Sequence, residues 1–109
     1  MEALKTELIP GDPPRLQVDG EVDLSTADQL RTALDQALST DARAVVDMAG
    51  VTFIDVVGVQ AVLDVAASRN GAGPVTLVNA QQVAWLLDIV GLSELRSVVI
   101  RDENERRDR

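Results

Sequence analysis

Val45-Val46-Asp47-Met48-Ala49-Gly50-Val51-Thr52-Phe53-Ile54-Asp55-Val56-Val57-Gly58-Val59-Gln60 decides how this chain folds. Its opening, from Ala44 to Met48, is a short apolar run with β-branched residues, interrupted by Asp47. That pattern predicts an inner strand of a sheet covered on one or both faces. A tight loop is expected to follow, then Asp55, then a helix from about Val56 to Asn70. Val59, Val62, Leu63 and Ala66 give that helix its apolar stripe. Asp55 is placed to cap it, accepting a backbone N–H and complementing the helix dipole.

Working outward, residues 3–9 and 15–19 predict two short strands joined by Gly11-Asp12-Pro13-Pro14, a turn sequence in which two prolines fix φ and remove donors. Gly20-Glu21-Val22-Asp23 leads into a helix. Ser25 is its expected N-cap, with Asp28 three residues later as in a capping box. Ala27, Leu30, Leu34, Ala37 and Leu38 follow at helical spacing, and Thr40-Asp41-Ala42-Arg43 closes the element. Beyond the central helix, Gly71-Ala72-Gly73-Pro74 is a stop, and Val75 to Val78 a buried strand. Asn79 is the expected cap of a third helix carrying Val83, Leu86, Leu87 and Val90. Gly91-Leu92 resembles a glycine C-cap with its apolar clasp, and Ser97 to Ile100 predict a last strand. The order β-β-α-β-α-β-α-β implies an α/β fold: one mostly parallel sheet of about five strands, opened by an antiparallel hairpin, with helices packed against it.

The chain has 109 residues, nearly half of them apolar, enough for one domain with one core. Only Phe53 and Trp85 are aromatic, so Val, Leu, Ile and Ala must build that core. The formal charge of −8 repels nucleic acid, and no nucleic-acid role is expected. The one dense basic cluster, Arg101 to Arg109, is interleaved with acids and predicts a solvated, frayed tail. No apolar run reaches the roughly 20 residues of a membrane span. The start, Met1-Glu2-Ala3-Leu4-Lys5, lacks the pattern of a signal peptide, so the cytoplasm is the expected compartment and no direct membrane insertion is expected.

Enzyme chemistry finds little support. The chain has neither His nor Cys, so the commonest general base, metal ligand and thiol nucleophile are missing. No Gly-rich phosphate loop follows a predicted strand. Asp23, Asp47 and Asp55 lie near predicted strand ends, where three carboxylates could hold Mg²⁺ as in receiver domains. Such sites also need a lysine from a late strand, and the only lysine here is Lys5. We expect no catalytic residue, metal or cofactor. Each aspartate also has a structural role open to it: Asp55 as a cap, Asp47 as an acceptor for loop N–H groups, and Asp23 as part of a loop before a helix. Val56 and Val57 are unusual in a first helical turn, because valine offers no oxygen to the orphan N–H groups. Either the pair forms a small apolar contact patch beside Gly58 and Gln60, or both side chains turn inward.

The central stretch closely resembles the core motif of the STAS domain, found in bacterial anti-sigma factor antagonists (anti-anti-sigma factors). Gly20 to Ala27 is similar to the family's segment before its first helix, Gly71 to Asn79 to its turn and fourth strand, and Leu86 to Leu92 to its third helix and glycine stop. The resemblance covers roughly residues 15 to 100. It implies a STAS domain over residues 1–100 and a charged tail over residues 101–109. In the family the Asp is usually followed by Ser-Ser-Gly or Ser-Thr-Gly, and a partner kinase phosphorylates the second hydroxyl. That position is Val57 here, and its neighbour is Val56. The implied function is partner switching in transcription regulation, through binding an anti-sigma factor with a GHKL-type serine kinase fold. The implied partner surface is Asp23, Ser25, Thr26, Asp55, Val56, Val57, Gly58, Val59 and Gln60. Without a hydroxyl at Val57 the antagonist is constitutive, or is regulated elsewhere, for example at Ser25, Thr26 or Thr52. Other members suggest two further roles: an accessory subunit of a lipid-transport ABC system contacting its ATPase, and a nucleotide-binding module. The expected state is a monomer or weak homodimer.

Overall fold

The computed structural model describes residues 3–69, 71–92 and 96–103. The strands are β1 (Leu4–Ile9), β2 (Arg15–Val22), β3 (Val45–Ile54), β4 (Val75–Val78) and β5 (Val98–Arg101). The helices are α1 (Ala27–Thr40), α2 (Val56–Ala67) and α3 (Gln81–Ile89). They form one α/β unit with a five-stranded sheet in the order β1-β2-β3-β4-β5. The β1–β2 hairpin is antiparallel and every later pairing is parallel. Because each α-crossover moves one strand further in the same direction, right-handed connections bring the helices to one face.

Strand alternation follows from that one-sided cover. Leu16, Val18 and Val22 of β2, Val46 and Met48 of β3, Val75 and Leu77 of β4, and Val98 of β5 are buried toward the helices. They meet Leu30, Leu34 and Ala37 of α1, Val59, Val62 and Val65 of α2, and Val83 and Leu87 of α3. The intervening residues, Gln17, Asp19 and Glu21 among them, are half-buried or exposed, as expected for a sheet with one open face.

The boundaries differ from the sequence reading in three places. β2 runs on through Gly20 to Val22, where a loop is expected, because β1 and β3 supply pairing on both sides: Leu4↔Gly20 and Val22↔Ile54. β3 likewise continues to Ile54, since Gly20, Glu21 and Val22 pair with Val51, Phe53 and Ile54 across a register shift between Gly20 and Glu21. Asn79 does not cap α3. It takes a positive φ of 58°, and its amide donates to Asp47 Oδ1 (3.1 Å) while its carbonyl oxygen accepts the Glu103 N–H (3.3 Å). The end of α3 is as expected: Gly91 (φ 81°) donates to the Asp88 carbonyl and Leu92 to that of Leu87 at 2.7 Å, a Schellman stop. Asn70, the expected end of α2, lies outside the described residues, and the helix closes at Ala67.

At the amino end of the sheet's open face, Arg15 donates to Asp47 Oδ2 (3.0 Å) and Glu103 Oε2 (2.7 Å). β5 thus runs into the first residues of the expected tail, and residues 104–109 lie outside the described residues. Burial works to raise the Asp47 carboxyl. Hydrogen bonds from the Ala49 N–H, Asn79 and Arg15, with the Arg15 charge, outweigh it and hold the group below its ordinary value. A carboxylate depressed in the folded state contributes stability above its unfolded pKa and loses it as pH falls through the folded one. We therefore expect Asp47→Asn to lower stability by about 1 kcal/mol at neutral pH. The difference should shrink as pH falls below the ordinary carboxylate range and vanish once the wild-type group is protonated. Urea titrations of both proteins from neutral pH downward would show it, and a gap that persists at low pH would contradict the linkage.

Candidate functional site

The parallel pairing of β2 and β3 fixes the site. Val22 and Ile54 are Cα partners at the carboxyl ends of these strands, and the Asp55 N–H donates to the Val22 carbonyl at 3.2 Å. The chain therefore leaves the sheet at two adjacent points: through Asp23 into α1, and through Asp55 into α2. This brings the Asp23 loop beside the start of α2, as the family resemblance implies.

The loop is built by side chains. Asp23 Oδ1 accepts the Ser25 N–H (2.9 Å) and hydroxyl (2.7 Å). Thr26 Oγ1 accepts the Asp23 N–H at 3.0 Å and donates to the Glu21 carbonyl at 2.8 Å. The N-cap of α1 is Thr26 rather than Ser25, and its side chain makes no cap hydrogen bond. Asp28, expected in a capping box, pairs with Arg31 at 2.6 Å instead. The Ser25 hydroxyl, followed by backbone and side-chain hydrogen bonds from Ser25 and Thr26, holds the Asp23 carboxyl below its ordinary value against a weaker effect of desolvation. Asp23 thus supports the loop while Leu24 projects from it, 80% exposed.

At the other exit Asp55 caps α2 as expected, Oδ1 accepting the Gly58 N–H at 3.0 Å. Val56 and Val57 then face solvent, 55% and 38% exposed. Gly58 and Val59, expected in the partner surface, are buried, because the first turn rotates them onto β2 and β3. A Cβ on Gly58 would lie 2.6 Å from Val22 Cγ1 and 2.8 Å from Ile54 Cγ1, both packed in the core. Glycine here lets the helix start sit directly on the strand ends. Gly58→Ala would gain about 1 kcal/mol of helix propensity. The overpacking costs about 1–3 kcal/mol, so the expected outcome is net destabilisation and a lower denaturant midpoint. A variant more stable than wild type would show that the strand ends yield freely.

Gln60 is exposed and donates to Asp64 Oδ1 at 2.9 Å, and Asp64 accepts from Arg31 of α1 at 3.1 Å. These contacts tie α1 to α2 beside the patch. Two apolar residues extend the surface beyond the sequence-based set: Leu24 and, at the end of β3, the exposed Phe53. Their exposure has no local signal, since a leucine in a loop and a phenylalanine beside an isoleucine both read as core candidates. Leu24, Phe53, Val56 and Val57 are thus four exposed apolar residues at or just beyond the carboxyl ends of β2 and β3.

The three aspartates do not meet. Asp47 lies eight residues before Asp55 on an extended strand, on the order of 25 Å away at roughly 3.3 Å per residue. Among the described residues no group of three or more His, Cys, Asp or Glu side chains could hold a metal ion. A pocket of about 170 Å³ between β3 and the start of α3, lined by Met48, Val51, Ile54, Gln82 and Val83, is smaller than the roughly 300–1,000 Å³ usual for small-molecule sites. No helix among the described residues is long and apolar enough to cross a membrane.

This sheet order, with the Asp-capped α2 start beside the β2–α1 loop, belongs with the family comparison: a family model described as "Mlab, STAS domain" matches residues 6–100, and the chain belongs to the STAS domain family. Among solved structures, it is similar to an anti-sigma factor antagonist from Mycobacterium paratuberculosis, with a TM-score of 0.72 and 19% identity, over 88% of this chain and 85% of that one. It is also similar to the anti-sigma factor antagonist SpoIIAA in its unphosphorylated form, with a TM-score of 0.63 and 23% identity, over 97% and 94% of the two chains. No curated protein matches it in sequence.

Proposed function

We propose that this chain is an anti-sigma factor antagonist, a non-enzymatic regulator that binds an anti-sigma factor with a GHKL-type serine kinase fold. The observation that carries the reading is the solvent-facing Val56–Val57 pair, set beside the Asp23 loop in a STAS domain. Leu24, Phe53, Val56 and Val57 supply the apolar centre of the interface, and Asp23, Ser25 and Gln60 its polar border. Thr26, Asp55, Gly58 and Val59 act from beneath by fixing the loop and the helix start.

The phospho-acceptor of the family falls on Val57, which has no hydroxyl. In a switchable relative a phosphate here brings about −1.5 to −2 charge into an apolar contact and drives the partners apart. This chain lacks that release step at Val57, so it binds constitutively or is released through another group. Of the three alternative hydroxyls, Thr26 is buried and held by two hydrogen bonds, which leaves exposed Ser25 and Thr52 as the accessible ones.

Affinity capture from cell extract with mass spectrometry tests the reading. A kinase-fold anti-sigma factor should be recovered with the wild-type chain. Val57→Ser, incubated with that kinase and ATP, should take up phosphate where the wild type does not. Recovery of an ATPase subunit in the absence of any kinase-fold protein would favour the second reading, an accessory subunit of a lipid-transport ABC system. That reading is also supported by Val57, because a permanent subunit needs no phospho-release.

A further inference from the structure

The geometry points to the free edge of β1 as a self-association surface, to which β1 of a second copy adds antiparallel about a two-fold axis at Thr6. β1 is an outermost strand of the sheet. The Glu21 N–H donates to the Ala3 carbonyl at 2.8 Å, so in this antiparallel ladder Ala3, Lys5, Glu7 and Ile9 turn their backbone groups toward β2. Leu4, Thr6 and Leu8 turn theirs outward, and the Leu4 carbonyl accordingly accepts Gln29 Nε2 of α1 at 3.0 Å, with its second lone pair still open. Such an edge is a template for another strand.

The side chains choose both occupant and register. Leu4-Lys5-Thr6-Glu7-Leu8 is self-complementary when reversed. An axis at Thr6 sets Lys5 of each copy against Glu7 of the other, and Leu4 against Leu8. An axis at Lys5 sets lysine on lysine, one at Glu7 sets glutamate on glutamate, and one at Leu8 brings in Pro10, which has no N–H. A lone lysine on an edge opposes strand addition, but Lys5 finds its counter-charge two residues on in its own sequence. Lys5 and Glu7 are exposed on the open face, opposite Asp19 and Gln17 of β2. The joined sheets place each Lys5 between Asp19 of its own copy and Glu7 of the other. On the helix face, Leu8 lies opposite buried Leu16 yet is 37% exposed. The dimer covers it with Leu4 of the second copy.

The helix above the edge fits the same occupant. Gln29 marks the flank of α1 that faces β1, and Arg31, paired with Asp64 of α2, marks the opposite one. At 100° per residue, Thr32, Ala33, Gln36 and Thr40 lie within about 60° of Gln29. The charged residues of α1, Asp28, Arg31 and Asp35, lie about 100° or more away. In a chain of net charge −8, two copies thus approach along uncharged helix flanks. The arrangement is isologous, and a single short strand pair belongs to the small, reversible class of interface.

Sedimentation equilibrium from about 10 μM to about 1 mM protein should show the average mass rising from the 11.7 kDa monomer toward a dimer. Over the same range, hydrogen exchange at the outward Thr6 and Leu8 amides should slow, while the Lys5 and Glu7 amides, turned to β2, change little. Lys5→Glu and Glu7→Lys should each weaken the dimer about tenfold or more, because each turns two attractive cross-strand contacts into repulsive ones. Glu7→Lys should do so although it makes the chain less acidic, which separates edge pairing from overall repulsion. The double exchange, Lys5→Glu with Glu7→Lys, should restore the dimer, and a mixture of the two single variants should form heterodimers. Circular dichroism checks that each variant is folded. A wild-type chain monomeric throughout, a dimer indifferent to either charge reversal, failure of the double exchange to restore it, or Thr6 and Leu8 amides indifferent to concentration overturns the proposal. The edge carries none of the residues assigned to the anti-sigma interface, so the two proposals fail separately.

Discussion

Val57→Asp should weaken binding of the proposed anti-sigma partner ten- to hundredfold, about 1.4–2.7 kcal/mol, while the domain stays at least as stable as the wild type. The two halves of that expectation have different causes. In the free protein Val57 is exposed in the first turn of α2, so no core contact is lost. A carboxylate there faces the positive end of the helix dipole, worth about 0.3–1 kcal/mol in its favour. In the proposed complex the same carboxylate would leave water for an apolar contact, and removing a charge from water without a partner costs far more than the dipole returns. Val57→Ala is the control, since it trims the contact without charge and should cost only a few-fold in affinity. Calorimetric titration of the three proteins against the captured partner decides the matter. Equal affinities for Val57→Asp and wild type would remove the helix start from the interface.

Gly20→Ala should be the most damaging small substitution in the sheet, costing about 3 kcal/mol or more. Gly20 sits in β2 with φ at 112°, a region L side chains rarely adopt, and holding alanine there costs about 1–3 kcal/mol. An added Cβ would also run into the Ala3 carbonyl oxygen and come within 3.3 Å of Leu4 Cα. Both obstacles are backbone, so no rotamer change relieves them. The Ala3 oxygen is itself engaged, accepting the Glu21 N–H at 2.8 Å, and Leu4 is buried against the core. Relief requires β1 to lift from β2 at that end, exposing Leu4. For a domain whose total stability is expected near 5–15 kcal/mol, such a loss is a large fraction. Urea denaturation would reveal it as a markedly lower midpoint, whereas a midpoint within the error of wild type would show that the bulge accepts a side chain.

The two substitutions mark the boundary between what local sequence expresses and what pairing imposes. α1, α2 and β4 are legible because their signals lie within a few residues: the 3–4 spacing of Leu30, Leu34 and Ala37, the Asp55 cap, and Val75–Val78 between a glycine-proline stop and Asn79. The Gly91–Leu92 stop is legible for the same reason. Less so are the carboxyl halves of β2 and β3. Gly20 and Gly50 suggest loops when read alone, and the strands continue only because each provides the other's hydrogen bonds. Ser25 and Asn79 both resemble caps locally. Ser25 is drawn away by Asp23 two residues before it, and Asn79 by groups the local pattern does not contain, Asp47 across the sheet and the Glu103 N–H.

At the site, the sequence alone established the order of elements, the Asp55 cap and the absence of a hydroxyl at Val57, since each of these is a matter of residue identity and short-range spacing. Tertiary structure alone decided which apolar residues remain in water. Leu24, Phe53, Val56, Val57, Trp85 and Ile89 differ little in kind from the leucines and valines inside. Exposure is fixed by what packs across from a side chain, and with helices covering only one face of the sheet, that partner is supplied by distant segments or not at all.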